Sequence, residues 1–97
     1  MQDSFDIDVI TALDGREVDV TREIGRLISI SLHYHPEDEI DPSERQFIHR
    51  FGWGLIAVAG PKMPFSLIDD MLESKEISAA FAAYLRARWA DRVAKCA

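Results

Sequence analysis

The most apolar stretch of the chain has a well-marked beginning and end, and its pattern predicts a helix over about residues 42–59. Hydrophobic positions cover more than one helical face, as in a helix that is packed on several sides. Asp41 is a suitable N-cap, and Pro42 suits the first helical position. Gly52 and Gly54 each cost about 1 kcal/mol inside a helix, which predicts that a neighbouring backbone comes close to them. We therefore predict a central core helix here.

Two shorter helices are predicted on either side of this central helix. Residues 20–34 carry hydrophobic positions at the helical period, with Asp19 or Thr21 as the N-cap. The proline two residues further on disfavours continuation of that helix. Residues 65–72, which follow Pro64, form the second short helix.

The last predicted helix runs over about residues 75–94, with Ser74 as its cap. Because its large apolar residues recur every four positions, they form one stripe that should face the core. The members of this stripe are Ile77, Phe81, Leu85, Trp89 and Val93. We expect both tryptophans of the chain, including Trp53 on the central helix, to be at least partly buried.

Residues 5–20 fit two different structures. In the first, a helix ends at Gly15 in the usual C-terminal position for glycine. In the second, apolar and acidic residues alternate in a β-hairpin with a two-residue Asp14-Gly15 turn, which places Val9 opposite Val20. We favour the helix because aspartate is depleted in strands and an isolated hairpin is only marginally stable.

Together these elements predict a mainly α protein. Residues 1–97 are long enough for one hydrophobic core, and 47% hydrophobic with 29% charged residues are ordinary globular values. We expect a single helical domain, a compact bundle of four or five helices around the central helix at about 42–59.

The sequence also indicates the cellular compartment. The N-terminus is acidic where a secretory signal needs positive charge, and no apolar run is long enough to cross a bilayer. Cys96 is the only cysteine, so an intramolecular disulfide cannot form. We expect a cytoplasmic protein that does not enter a membrane.

The charges are divided unevenly along the chain. Residues 1–44 hold 12 acidic residues against three arginines, whereas residues 45–97 hold eight basic against five acidic residues, within a net charge of −6. The two halves could simply neutralise each other in the fold. The alternative is that the acidic half meets a basic surface on another molecule.

We therefore expect a small, acidic, non-enzymatic regulator or inhibitor of bacterial or phage type that binds a protein partner. The partner should carry a basic surface, which could be a nucleic-acid-binding surface that is masked by this contact. Association of the chain with itself stays open. The residues predicted to bind the partner are acidic, with nearby apolar anchors: Phe5, Asp6, Asp8, Tyr34, Glu37, Asp38, Glu39, Ile40 and Asp41.

A first alternative is a DNA-binding transcriptional regulator that uses a basic ridge on the last helix. Phosphate contacts need clustered lysine and arginine, and four bases on an acidic chain form a weak cluster. Direct nucleic-acid binding is thus disfavoured. The candidate residues are Arg86, Arg88, Arg92 and Lys95.

A second alternative is a metal-dependent enzyme built on the segment from His33 to Asp41, which contains two histidines and four carboxylates. His33 and His35 would share a side only in an extended segment, and the helical or paired-cysteine spacings of zinc sites are absent. The sequence also lacks the G-x-S-x-G and G-x-G-x-x-G motifs. We therefore expect no catalytic residue, no metal and no cofactor.

Overall fold

The computed structural model describes residues 8–96, with side chains described for residues 8–91. Two short strands are followed by four helices, which confirms a mainly α fold with a small hairpin. The elements are β1 (Val9–Thr11), β2 (Glu17–Asp19), α1 (Thr21–His33), α2 (Pro42–Ala59), α3 (Met63–Glu73) and α4 (Ala79–Cys96).

The favoured helix before Gly15 is wrong, because β1 and β2 form an antiparallel hairpin. The hairpin register also differs by one residue from the alternative considered above, since Val9 lies opposite Asp19. The reason is a three-residue turn. The Ala12 N–H donates to the Arg16 carbonyl at 2.8 Å, and Gly15 adopts a φ of 89°, which few other residues tolerate.

The hairpin and α1 are joined by hydrogen bonds at the start of the helix. The Asp19 carboxylate accepts from the Thr21 backbone N–H at 2.9 Å, and the Thr21 hydroxyl accepts from the Asp8 N–H at 2.9 Å. The N-cap position itself is Val20, and no side chain caps it. Both residues proposed as caps therefore fix the hairpin to the helix.

Helix α2 begins and ends where the sequence predicts. The Asp41 carboxylate accepts from the Ser43 N–H at 3.0 Å, and Gly60 closes the helix with a φ of 96°. Although α2 contacts each of the other helices, its fully buried positions form a single stripe rather than several faces. The stripe consists of Ile48, Gly52 and Leu55.

The close approach predicted at the two glycines of α2 exists at only one of them, and it involves a side chain rather than a backbone. The Trp89 indole of α4 packs against Gly52, where an added Cβ would lie 2.5 Å from the Trp89 Nε1 atom. The same indole N–H donates to the Ile48 carbonyl at 3.1 Å. Gly54 faces open space.

Helix α4 starts four residues later than predicted, at Ala79 rather than Lys75. Ser74 belongs to the end of α3, and Lys75 then adopts a positive φ of 60° that interrupts helical geometry. Ser78 caps the new helix instead, because its hydroxyl accepts from the Phe81 N–H at 3.1 Å.

One hydrophobic core joins the hairpin and the helices. The predicted α4 stripe is buried at its four described positions, and Val93 lies outside the described side chains. Trp89 is 1% exposed, whereas Trp53 keeps 41% of its surface exposed and is only partly buried. The stripe packs with buried residues of the other elements, notably Ile10, Ile24, Leu27, Leu55, Ile68 and Met71.

Candidate protein-binding surfaces

The acidic loop, residues 35–41, connects α1 to α2 and is held against the bundle. The Asp38 N–H donates to the His35 carbonyl at 3.0 Å, which forms a turn. Ile40 is half-buried against the core. Tyr34, just before the loop, packs its ring 5.4 Å from that of Phe81 on α4. The loop is thus fixed at both ends, and two of the predicted apolar anchors, Tyr34 and Ile40, are already partly buried in the fold.

The four carboxylates of the acidic loop have different roles. Asp41 caps α2, and hydrogen bonds from the Ser43 hydroxyl and backbone N–H hold the pKa of Asp41 below its ordinary value. Glu37, Asp38 and Glu39 are exposed, and no described side chain forms an ion pair with them. Their three negative charges therefore face solvent.

Two arginines lie next to the acidic loop, which sequence reasoning did not bring together. Arg45 of α2 and Arg88 of α4 line a groove of about 200 Å³ with Tyr34, Glu39 and Tyr84. The Arg88 guanidinium lies 5.6 Å from the centre of the Tyr84 ring, and its Nε–H donates to the Tyr84 hydroxyl at 3.3 Å. The only sequence signal for this groove was the helical spacing of Phe81, Tyr84 and Arg88.

Two of the four basic residues proposed on α4 have described side chains, and they have different neighbours. Arg86 donates to the Asp69 carboxylate of α3 at 2.8 Å, whereas Arg88 faces the acidic loop. Arg92 and Lys95 lie outside the described side chains. The two described arginines therefore occupy different sides of α4, and each has a carboxylate nearby that would repel phosphate.

The members of the predicted acidic binding set that the structure describes do not form one surface. Asp8 lies beside the first turn of α1, because its N–H donates to the Thr21 hydroxyl. The acidic loop instead follows the last turn of α1, which ends at His33. A helix of 13 residues is about 20 Å long. The structure thus separates Asp8 from Glu37–Asp41, while Phe5 and Asp6 lie outside the described residues.

A second groove, which sequence reasoning missed, lies beside Asp8. It has a volume of about 700 Å³ and runs between strand β1 and helix α3. We call it the strand groove, and its charged lining residues are Asp8, Asp70 and Glu76. It could not be found from the sequence because it depends on the hairpin and on the position of α3 beside it.

The segment from His33 to Asp41 does not assemble a metal site in the described structure. Within residues 8–91, no three histidine, cysteine or carboxylate side chains come close enough together to hold an ion. His33 and His35 are both exposed.

The described helices are 11 to 18 residues long, whereas a helix that spans a bilayer needs about 20 mainly apolar residues. No single one is long and apolar enough to span a bilayer, and only α2 and α3 taken together, at an angle of 115°, reach that length and composition.

Comparisons of the chain with protein families, with curated proteins and with solved structures find no match.

Proposed function

We propose that this protein is a non-enzymatic regulator that binds a basic surface of a protein partner through its acidic loop. The observation that carries this proposal is the state of Glu37, Asp38 and Glu39. They are exposed and lack an ion pair among the described side chains, yet their loop is fixed to the bundle.

The fixed loop matters because ordering a flexible segment costs free energy when a complex forms. Immobilising a mobile side chain or loop residue costs about 0.5–1.5 kcal/mol on binding. Tyr34 and Ile40 remove part of this cost by packing the loop against the core before any partner arrives. Exposed charges in a fixed arrangement also accelerate encounter with an oppositely charged surface.

The chemistry of the loop indicates the kind of partner. Clustered carboxylates match lysines and arginines, and such residues are concentrated on proteins that bind nucleic acid. A regulator of this kind would inhibit its partner by covering that basic surface. The groove with Arg45 and Arg88 beside the loop would place positive charge at the edge of the same contact and restrict which partners fit.

A capture experiment with matched charge variants tests this function. Tagged protein is incubated with nuclease-treated lysate, and the bound proteins are identified for the wild type and two double variants. Glu37→Lys with Glu39→Lys reverses two loop charges, and Glu17→Lys with Glu73→Lys reverses two exposed charges elsewhere.

The proposal expects a partner that is retained by the wild type and by the Glu17/Glu73 variant but lost by the Glu37/Glu39 variant. Equal loss in both variants would show that only net charge matters. Binding of the purified protein to duplex DNA that disappears with Arg88→Glu would instead favour the DNA-binding alternative.

A further inference from the structure

The outer edge of strand β1 carries backbone groups that point away from its partner strand. Val20 N–H donates to the Asp8 carbonyl and Ala12 N–H donates to the Arg16 carbonyl, both at 2.8 Å. In an antiparallel ladder, hydrogen-bonded and non-hydrogen-bonded pairs alternate. Val9 and Thr11 therefore belong to non-hydrogen-bonded pairs, and their N–H and C=O groups face outward. Within residues 8–96, no other element accepts or donates to them.

Helix α3 forms the opposite wall of the strand groove. Its lining residues follow the helical repeat along one face, with small hydroxyl side chains at Ser66 and Ser74 and a carboxylate at Asp70 between them. The β1 side contributes Val9, which is 43% exposed, and Thr11. Small side chains on the helix leave room beside the strand edge. A third strand would use the outward N–H and C=O groups of β1.

The charge of the strand groove indicates what such a strand contains. Asp8, Asp70 and Glu76 line it, and no lysine, arginine or histidine is among its lining residues. An extended segment with lysine or arginine at alternate positions would combine backbone pairing with charge complementarity.

We propose that the strand groove binds an extended, lysine- or arginine-containing segment of a partner protein as a third strand along β1. This goes beyond the acidic-loop contact, because it uses the other end of α1 and depends on backbone hydrogen bonds. A second copy of this chain is a poorer occupant, since pairing two β1 strands would bring the two sets of groove carboxylates together.

A synthetic peptide provides the direct probe. The full-length protein is titrated with the blocked peptide Lys-Val-Lys-Thr-Lys-Val-Lys while backbone amides are followed by NMR. We expect the amide signals of Val9 and Thr11 to shift, and their hydrogen exchange to slow by about fivefold or more at saturation, because each gains a hydrogen-bond partner or protection from water. The same peptide with glutamate in place of lysine should not bind.

Two N-methylated versions of the peptide separate strand addition from simple charge attraction. One version carries methyl groups on the backbone nitrogens of valine and threonine, and the other carries them on the backbone nitrogens of lysine. Since only one edge of an added strand faces β1, one version should lose at least about fivefold in affinity and the other should lose little. Equal behaviour of the two versions contradicts the proposal, and the protein is unchanged in this test.

Variants of α3 provide the matched control on the protein side. Asp70→Lys reverses a groove charge, whereas Glu73→Lys makes the same change on an exposed position of α3 outside the groove. We expect Asp70→Lys to weaken peptide binding by about tenfold or more and Glu73→Lys by less than about threefold. Equal effects would refute the proposed site.

Two further outcomes decide between occupants and between the two surfaces. Concentration-dependent dimerisation that protects Val9 and Thr11 without peptide would overturn the proposal in favour of a second copy. The Glu37→Lys/Glu39→Lys variant should bind the peptide within about twofold of the wild type, because these charges lie about 20 Å away. Loss of binding there would place the peptide on the acidic loop and contradict the groove.

Discussion

Two regions of the molecule are built in opposite ways. One is the contact between α2 and α4, and the other comprises the two ends of α1. Between α2 and α4, the Trp89 ring fills the space left by Gly52, and its N–H is satisfied by the Ile48 carbonyl. At the ends of α1, by contrast, exposed carboxylates border open grooves. The first region is closed by a buried contact where Trp89 covers Gly52, whereas the second region combines negative charge with open space.

This difference separates stability from binding. The buried α4 stripe and the Gly52–Trp89 contact provide a scaffold whose loss should unfold the protein. The acidic loop and the strand groove can be altered on the surface while the scaffold stays folded. Variants of the first region should therefore change the free energy of unfolding, whereas variants of the second should change binding and leave stability almost unaltered.

The largest effect is expected for Phe81→Ala. Phe81 is fully buried, and its truncation should lower the free energy of unfolding by about 3–5 kcal/mol. Phe51 on α2 is only half-buried, so Phe51→Ala should cost clearly less. Urea denaturation followed by circular dichroism measures both values. Equal costs would contradict the location of the core.

Gly52→Ala should have the next largest effect. Its Cβ would lie 2.5 Å from Trp89 Nε1, so the ring must move and the protein should lose about 1–3 kcal/mol of stability. The matched control is Gly54→Ala on the same helix, which meets open space and should gain about 0.5–1 kcal/mol. Tryptophan fluorescence during unfolding checks the opposite signs, and a neutral Gly52→Ala would argue against this contact.

Tyr34 lies on the border between the two regions. Because its ring packs against Phe81 and Tyr84, Tyr34→Ala should cost about 1–3 kcal/mol and increase hydrogen exchange in the acidic loop. Leu32→Ala, at a position 77% exposed, should change stability by less than about 0.5 kcal/mol. A Tyr34 variant with unchanged loop exchange would show that the ring does not fix the loop.

The smallest effect concerns pH and the start of α2. Hydrogen bonds from Ser43 keep the pKa of Asp41 below its ordinary value of 3.8. A carboxyl whose pKa is lowered in the folded state stabilises the protein at pH values above its unfolded-state pKa. This stability is lost as the pH falls through the folded-state pKa. The midpoint urea concentration should therefore decrease as the pH is lowered below about 4. Asp41→Asn should make this decrease smaller. An unchanged pH profile in Asp41→Asn would contradict the capping role.

Much of the fold could be predicted because local signals were strong. Asp41 and Gly60 mark the ends of α2, and the four-residue repeat of α4 has one interpretation. The hairpin was the less favoured of two alternatives because its spacing of apolar residues also fits a helix, and its register depended on the conformation of Gly15. The start of α4 was missed because Ser74 and Ser78 are equally good caps, and only the positive φ of Lys75 distinguishes them.

For the candidate surfaces, only the exposure of the charged side chains could be predicted from the sequence. Charges in a loop between two helices are usually exposed, and Glu37 and Glu39 follow that rule. The packing of Tyr34 on α4 and the separation of Asp8 from the acidic loop depend on contacts between distant parts of the chain. A sequence pattern contains no signal for such contacts.

The most direct test of the central claim is the association rate between this protein and the partner captured after nuclease treatment. It is measured at low and at physiological salt for the wild type and the two double variants. We predict that the wild type and Glu17→Lys/Glu73→Lys associate about tenfold faster at low salt, whereas Glu37→Lys/Glu39→Lys is slow and nearly insensitive to salt. Equal rates and equal salt dependence for the two double variants would contradict a binding role of the acidic loop.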